Sequence, residues 1–148
     1  MPQPEPESPT PMIEQVLAAT NARRAQGAQC PNGQGFGPAA PLRLSQTLMV
    51  AAQRHTEDMA HKGYLEHVDP NGTGPLERAR AAGYTGGYLG ENIAGGQTSA
   101  EQVVDGWMNS PHHCPTIMSP EYNVIGIGYA DVPGSPLGTY WTQLFGRE

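Results

Sequence analysis

Basic residues are scarce in this chain of 148 residues. It has a single lysine, Lys62, and seven arginines against 14 acidic residues, which gives a net charge of −6. The longest basic cluster is the pair Arg23-Arg24. Nucleic acids and anionic membrane surfaces are bound through clustered positive charge. We therefore expect neither of them to be a partner of this protein.

Long apolar runs are absent as well. No stretch approaches the roughly 18 apolar residues that a membrane span requires, so no transmembrane segment is predicted. Residues 2–11 are rich in proline and lack the apolar centre of a signal peptide. We expect residues 1–11 to form an extended leader or linker and residues 12–148 to form a single domain. Such a start fits a cytosolic protein as well as an exported protein trimmed of its signal.

Glycine and proline, in contrast, are abundant. The chain has 19 glycines and 15 prolines, about twice their average usage, which indicates long ordered loops. Between these loops, apolar residues recur at helical spacing and are flanked by capping residues. The predicted helices are 12–26, a helix capped by Ser45 and ended by a left-handed Gly63, 75–82, 98–109, and a short segment from Ser110 that carries His112, His113 and Cys114.

The last quarter of the sequence changes to the pattern of β-strands. Residues 122–130 and 139–145 are predicted strands, joined by a hairpin loop at 131–138, and residues 89–94 are a third candidate. Residues 28–42 show no periodicity and are predicted to be loop. The predicted fold class is α+β, with about four helices around a small antiparallel three-stranded sheet.

Two cysteines, Cys30 and Cys114, lie 84 residues apart and match neither a zinc ribbon nor a redox Cys-x-x-Cys motif. A disulfide is favoured because both lie in irregular Pro-rich segments that need fixing, and it would imply an oxidising compartment. Two unpaired thiols, or a Cys114 nucleophile activated by His113, are the alternatives.

Four short motifs then occur in order along the chain. They are Tyr-Leu-Glu-His-Val at 64–68, Gly-Glu-Asn-Ile-Ala at 90–94, Trp-Met-Asn-Ser-Pro-His-His at 107–113, and Tyr-Trp-Thr-Gln-Leu-Phe-Gly at 140–146. This series resembles the CAP superfamily (cysteine-rich secretory proteins, antigen 5, pathogenesis-related 1) in its bacterial SCP-like branch, over about residues 13–146. The resemblance implies an α-β-α sandwich and a secreted or cell-envelope-associated protein.

The resemblance also implies a central cleft lined by His67, Glu91 and His113. The second cavity histidine of eukaryotic members is replaced here by Tyr140, and their second cavity glutamate by Ser110. Relatives with a cysteine after the histidine that His113 matches also tend to carry an N-terminal cysteine. This favours the Cys30–Cys114 pairing, although Pro115 and Thr116 depart from the usual Ala-Asn of that segment.

The chemistry of such a cleft has three interpretations. Imidazoles of His67 and His113 suit a zinc-like ion, with Glu91 as a further ligand or as a hydrogen-bonded partner. The same set suits metal-assisted hydrolysis with Glu91 as general base, or purely structural hydrogen bonding. The sequence contains neither a His-Glu-x-x-His motif nor a Gly-x-Ser-x-Gly elbow.

The remaining candidates are mostly structural. His55 lies on the apolar face of the second helix and is expected in the core, His61 is expected to be exposed, and Glu57 and Asp58 are expected to be solvated surface charges. Asn71-Gly72-Thr73 fits the glycosylation sequon but is more simply a turn. Trp107 and Trp141 are predicted core residues. Alternation along the last strand assigns Tyr140 to the cleft.

The leading functional hypothesis is a secreted, monomeric, non-catalytic binding or interaction module that binds zinc or another divalent metal in its cleft. Its ligand would be a small molecule, a lipid or a protein. The alternatives are a metal-dependent hydrolase of peptidase or esterase type and a structural envelope domain with a vestigial cleft.

Overall fold

The computed structural model describes residues 10–148, so most of the predicted leader, residues 1–9, lies outside the described residues. The helices and strands follow in order along the chain. They are α1 (Pro11–Gln26), β1 (Ala28–Gln29), β2 (Gly35–Phe36), β3 (Arg43–Leu44), α2 (Gln46–Lys62), α3 (Pro75–Ala81), β4 (Gly87–Gly95), α4 (Ala100–Met108), α5 (Cys114–Met118), β5 (Val124–Asp131) and β6 (Thr139–Arg147).

The main sheet has four strands in the order β3-β5-β6-β4. The β5–β6 hairpin and the β6–β4 pair are antiparallel, whereas β3 runs parallel to β5. The three predicted strands therefore form most of the sheet. The two-residue strand β3 was not predicted because so short a strand shows no periodicity. Residues 28–42 are not entirely loop, as was predicted, since β1 and β2 pair there as a small separate sheet.

Helices cover both faces of this sheet. Successive strand side chains point to opposite faces, so Trp141 and Phe145 of β6 pack with α1, α4 and α5. Tyr140 and Leu144 of the same strand point the other way, towards α2. The result is the α-β-α sandwich that the family resemblance implied.

Helix α2 lies directly against β5, and two glycines of that strand make this approach feasible. A Cβ atom at Gly126 would lie 2.1 Å from the carbonyl carbon of Leu48, and one at Gly128 would lie 2.5 Å from the carbonyl oxygen of Ala52. The face of β5 that carries these glycines therefore seats the helix.

One buried arginine joins α1 to three other segments. Arg24 is fully buried and donates hydrogen bonds to the main-chain carbonyls of Ala40, Ile117, Ser119 and Tyr122 at 2.7–3.2 Å. Its partners are neutral carbonyl dipoles, and these bonds tie α1 to the loop before β3, to α5 and to the loop after α5.

Most predicted helix ends are correct. Gly63 ends α2 in the left-handed conformation, with φ 74° and ψ 45°. Ser45 precedes α2 but does not cap it with its side chain, since its hydroxyl instead donates to Glu148 Oε1 at 2.8 Å. Helix α5 begins only at Cys114, and residues 110–113 form a turn rather than the predicted helical segment. None of the helices in residues 10–148 is long and apolar enough to cross a membrane.

Candidate functional site

Glu91 is at the centre of the predicted cleft. It lies on β4, and its side chain is only 2% exposed. Its Oε1 atom lies 2.8 Å from Nδ1 of His67, and its Oε2 atom lies 3.1 Å from a terminal guanidinium nitrogen of Arg78 on α3. Burying a carboxylate is costly unless it is paired and hydrogen-bonded, and here both of its oxygens are satisfied.

Arg78 also positions the loop that carries His67. It donates to the carbonyl oxygens of His67 at 2.7 Å and Thr73 at 3.0 Å. The loop is further tightened by the predicted turn, in which Oδ1 of Asp69 accepts from the main-chain N–H groups of Asn71 and Thr73, both at 2.9 Å. The side chain of Arg78 thus connects the loop of His67, helix α3 and strand β4.

Sequence reasoning missed Arg78. The available signal was indirect, because a buried Glu91 requires a nearby cation. Helix α3 carries two candidates, Arg78 and Arg80, and periodicity does not choose between them. In the structure Arg80 donates instead to the carbonyls of Tyr84 and Gly86, on the exposed side.

The orientation of His67 leaves one ring nitrogen for a ligand. The carboxylate of Glu91 accepts the hydrogen bond, so Nδ1 of His67 carries the proton and Nε2 is the free atom. The side chain is 49% exposed. The hydrogen bond to Glu91 is the main cause that raises the pKa of His67 above its ordinary value.

His113 lies on the turn between α4 and α5 and presents its own Nε2 atom. Its Nδ1 is 2.8 Å from the Oγ atom of Ser110. Burial lowers the pKa of His113, and the positive charge of His67 lowers it further.

Two successive residues of β4 contact the segments that carry the two imidazoles. Glu91 bonds to His67, and the next residue, Asn92, donates from its amide to the carbonyl oxygen of His113 at 3.3 Å. Because successive strand side chains point to opposite faces, the loop of His67 and the turn of His113 contact β4 from opposite sides. The structure thus joins His67 to Glu91 and His113 to Ser110, and Asn92 links the turn of His113 to β4 next to Glu91.

Tyr140 does not belong to this group, and its assignment to the cleft is corrected. It is fully buried against Met59 and Ala130, and its hydroxyl accepts a hydrogen bond from the main chain of Leu137 at 3.1 Å. The prediction assumed that one face of the last strand is open, whereas helices cover both.

The cysteines form a disulfide, Cys30–Cys114, with 5.7 Å between their Cα atoms. This decides among the three alternatives and excludes Cys114 as a free nucleophile in this state. Since Cys114 directly follows His113, the bond also anchors the turn that carries this imidazole.

Other predicted residues lie below or beside the cleft. His55 is buried as expected, and its Nε2 atom donates to the carbonyl of Glu66 at 2.8 Å, which supports the loop that carries His67. His61 is exposed as expected. Asp58 is not simply a solvated surface charge, because it accepts from the hydroxyl of Tyr64 and pairs with Lys62 at 2.9 Å.

A three-ligand metal site is not assembled. Within residues 10–148, no group of three or more His, Cys, Asp or Glu side chains is placed to hold a metal ion. Glu91 is already engaged by His67 and Arg78, which leaves two imidazoles as donors. The same engagement works against Glu91 as general base, since a base needs a free oxygen directed at the attacking water.

The cleft is distinct from a groove elsewhere on the described part of the molecule. That groove, of about 590 Å³, lies at the opposite edge of the sheet between α1 and α2. Its apolar lining includes Ile13, Met49, Ile127 and Tyr129, and it contains no histidine.

The chain is similar to several known bacterial proteins. The chain is 34% identical over 140 residues to the uncharacterized protein YkwD of Bacillus subtilis (strain 168), which covers 95% of this chain and 49% of that protein. An extracellular protein containing a SCP domain from Bacillus anthracis str. Ames has a TM-score of 0.74 at 23% identity, over 98% of this chain and 45% of that one. The chain thus spans about half the length of each of these relatives.

An outer surface protein from Borrelia burgdorferi has a TM-score of 0.65 at 22% identity. This match covers 72% of this chain and 77% of the Borrelia protein's chain. At such identities the two structural likenesses show the fold alone. The family itself follows from the sequence match, because the model of the cysteine-rich secretory protein (CAP) family matches residues 17–145 and so includes all the cleft residues. The motifs, the sandwich and this match agree that the chain belongs to the cysteine-rich secretory protein (CAP) family.

Proposed function

We propose that this domain is a non-catalytic binding module whose cleft holds its ligand between the imidazoles of His67 and His113. The observation that carries the proposal is the 2.8 Å bond between Nδ1 of His67 and Glu91. That bond fixes the tautomer and the direction of the ring and leaves Nε2 for a ligand.

A divalent ion such as zinc fits this donor pair. In metal sites, a histidine that binds through one nitrogen usually donates its other N–H to a carboxylate or another oxygen. Glu91 supplies that oxygen to His67, and the hydroxyl of Ser110 lies 2.8 Å from Nδ1 of His113. With two protein ligands instead of the four of a structural zinc site, the ion would be held weakly and would keep positions open for a partner.

The hydrolase alternative receives less support from the same contacts. Its general base would be Glu91, whose two oxygens already accept from His67 and Arg78 and whose side chain is 2% exposed. Neither oxygen is free to face an attacking water, so we favour binding over turnover.

We also propose that the protein acts outside the cytoplasm. Disulfides persist mainly in oxidising compartments, and Cys30–Cys114 is formed here. The Bacillus anthracis relative is described as extracellular, which agrees with export.

Isothermal titration calorimetry with zinc chloride tests the binding proposal. We expect one zinc ion per chain for the wild type and a loss of affinity of at least about tenfold in the double variant His67→Ala/His113→Ala. The matched control is His61→Ala, which removes an exposed histidine of α2 and should leave the titration unchanged.

Circular dichroism would establish that each variant is folded. Equal heats in the wild type and the double variant would overturn the proposal, and no heat in either would favour a vestigial cleft. Chelator-sensitive cleavage of a peptide or an ester that disappears in Glu91→Ala would favour the hydrolase instead.

A further inference from the structure

Strand β4 forms one edge of the main sheet. In an antiparallel pair, the N–H and C=O groups of alternate residues point towards the partner strand and away from it. Gly96, just beyond β4, donates its N–H to the carbonyl of Thr139 at 2.9 Å. By alternation, the main-chain N–H and C=O groups of Ala94 and Asn92 also point towards β6. Consistently, the carbonyl of Ile93 points outwards and accepts from the indole of Trp107 at 3.1 Å. By the same alternation, the N–H and C=O groups of Glu91 point away from the sheet.

The opposite edge of the sheet is protected by side chains. Beyond the short strand β3, the amide of Gln53 exchanges two hydrogen bonds of 2.9 Å with the main chain of Tyr129. The sulfur of Met49 lies 3.2 Å from the N–H of Ile127. Such capping prevents an edge strand from pairing with another chain.

The main chain of Glu91 lacks this protection. Among residues 10–148, no loop or side chain hydrogen bond reaches its N–H or C=O group. Its side chain is 2% exposed while the residue as a whole is half-buried, so its accessible area belongs to the main chain. The neighbouring Gly90 is half-buried too and has only main chain to expose.

We propose that an extended peptide segment of a partner protein binds to this edge as an additional strand centred on Glu91, between His67 and His113. The inference rests on the proposed function in that it uses the same cleft. The outward-pointing N–H and C=O groups of Glu91 can pair with the C=O and N–H groups of an extended polypeptide. Main-chain pairing of this kind is a recurring mode of peptide recognition.

The surroundings indicate which side chains the peptide would carry. Within the described part of the chain, four of the five exposed large hydrophobic residues belong to the segments that surround the His67–Glu91 pair. They are Leu65, Val68, Leu76 and Tyr88. Arg78 bonds these segments together, through His67 of the loop and Glu91 of β4. We therefore expect apolar peptide side chains on the face of His67.

Hydrogen exchange of the free protein, followed by NMR, tests the open edge. The N–H of Glu91 should exchange at least about tenfold faster than that of Asn92, which faces β6, because an unpaired strand amide lacks the protection of the ladder. Equal protection of these two amides would contradict an open edge.

A peptide titration tests the partner class. The probe is a hexapeptide, Lys-Val-Thr-Val-Thr-Lys with blocked ends, together with two forms N-methylated on one or the other set of alternate residues. Binding of the parent peptide should slow exchange at Glu91. One methylated form should lose at least about tenfold in affinity and the other should bind like the parent, because only one edge of the peptide pairs with β4. No effect on Glu91 at millimolar peptide, or equal binding of both methylated forms, would overturn the inference.

A pair of matched variants tests the apolar face. Val68→Glu should lower the affinity for the parent peptide about tenfold, since burial of an aliphatic side chain stabilises a complex to that extent. Leu137→Glu, which alters an exposed leucine of the β5–β6 loop, should bind the peptide like the wild type, and equal binding by all three proteins would contradict the assigned face. If the wild type binds zinc but not the peptide, only this inference is contradicted. If it binds the peptide but not zinc, only the metal proposal is contradicted.

Discussion

His67 is bound to Glu91 through a 2.8 Å contact between Nδ1 and Oε1, and Glu91 is in turn paired with Arg78. The exposed histidine therefore takes its orientation from a buried carboxylate, and the carboxylate from a nearly buried arginine.

The two cleft histidines should titrate on opposite sides of the ordinary value of 6.5. The bond to Glu91 raises the pKa of His67, whereas burial lowers the pKa of His113. NMR titration of the imidazole protons measures both pKa values. A His67 pKa at or below that of His113 would contradict the described contacts.

These shifts affect stability with opposite signs. The raised pKa of His67 stabilises the fold below the unfolded-state pKa, and this contribution disappears as the pH rises through the folded-state value. The lowered pKa of His113 opposes folding at acid pH and ceases to do so as the pH rises through its unfolded-state value. In His113→Ala only the first effect remains, so stability near pH 5 relative to pH 8 should increase compared with the wild type, as measured by urea unfolding.

Arg78→Met should destabilise the protein by about 3–5 kcal/mol, because it leaves the buried carboxylate of Glu91 without its cation. It should also loosen the loop that carries His67, and zinc affinity should fall with it. The control is Arg43→Met, since Arg43 is exposed and its sole ion pair in the described residues, with Glu148, is long at 3.6 Å. Urea unfolding of both variants measures the difference, and similar values for the two would show that Arg78 does not hold the site.

Arg24→Leu should cost several kcal/mol, since each buried carbonyl left without a donor costs about 1–3 kcal/mol. The adjacent Arg23 provides a matched control, because it makes an exposed ion pair with Asp105 at 3.0 Å and such pairs contribute about 1 kcal/mol or less. If Arg24→Leu and Arg23→Leu unfold at the same urea concentration, the four carbonyl contacts of Arg24 contribute little.

Removal of the disulfide in Cys30→Ser/Cys114→Ser should lower the free energy of unfolding by about 4–5 kcal/mol, the loop-entropy value for a separation of this size. The reduced wild type should behave like the variant in urea unfolding. A loss below about 1 kcal/mol would mean that other contacts already restrain these segments.

Local patterns predicted the helices, the central strands and the turn at 69–72, because each depends on periodicity or on turn chemistry within a few residues. The family motifs located His67, Glu91 and His113. Arg78 and Arg24 were missed because their partners lie on other segments and leave no periodic trace. Tyr140 was misassigned because alternation says which residues share a face of a strand, but not whether a helix covers that face.

The central claim is that His67 and His113 face one ligand together. Its most direct test is the NMR spectrum of the imidazole nitrogens during titration with zinc chloride. We predict that the Nε2 signals of both residues shift together and stop shifting at one equivalent of zinc, while those of His61 stay in place. Independent shifts of the two, or a shift of only one, would contradict it.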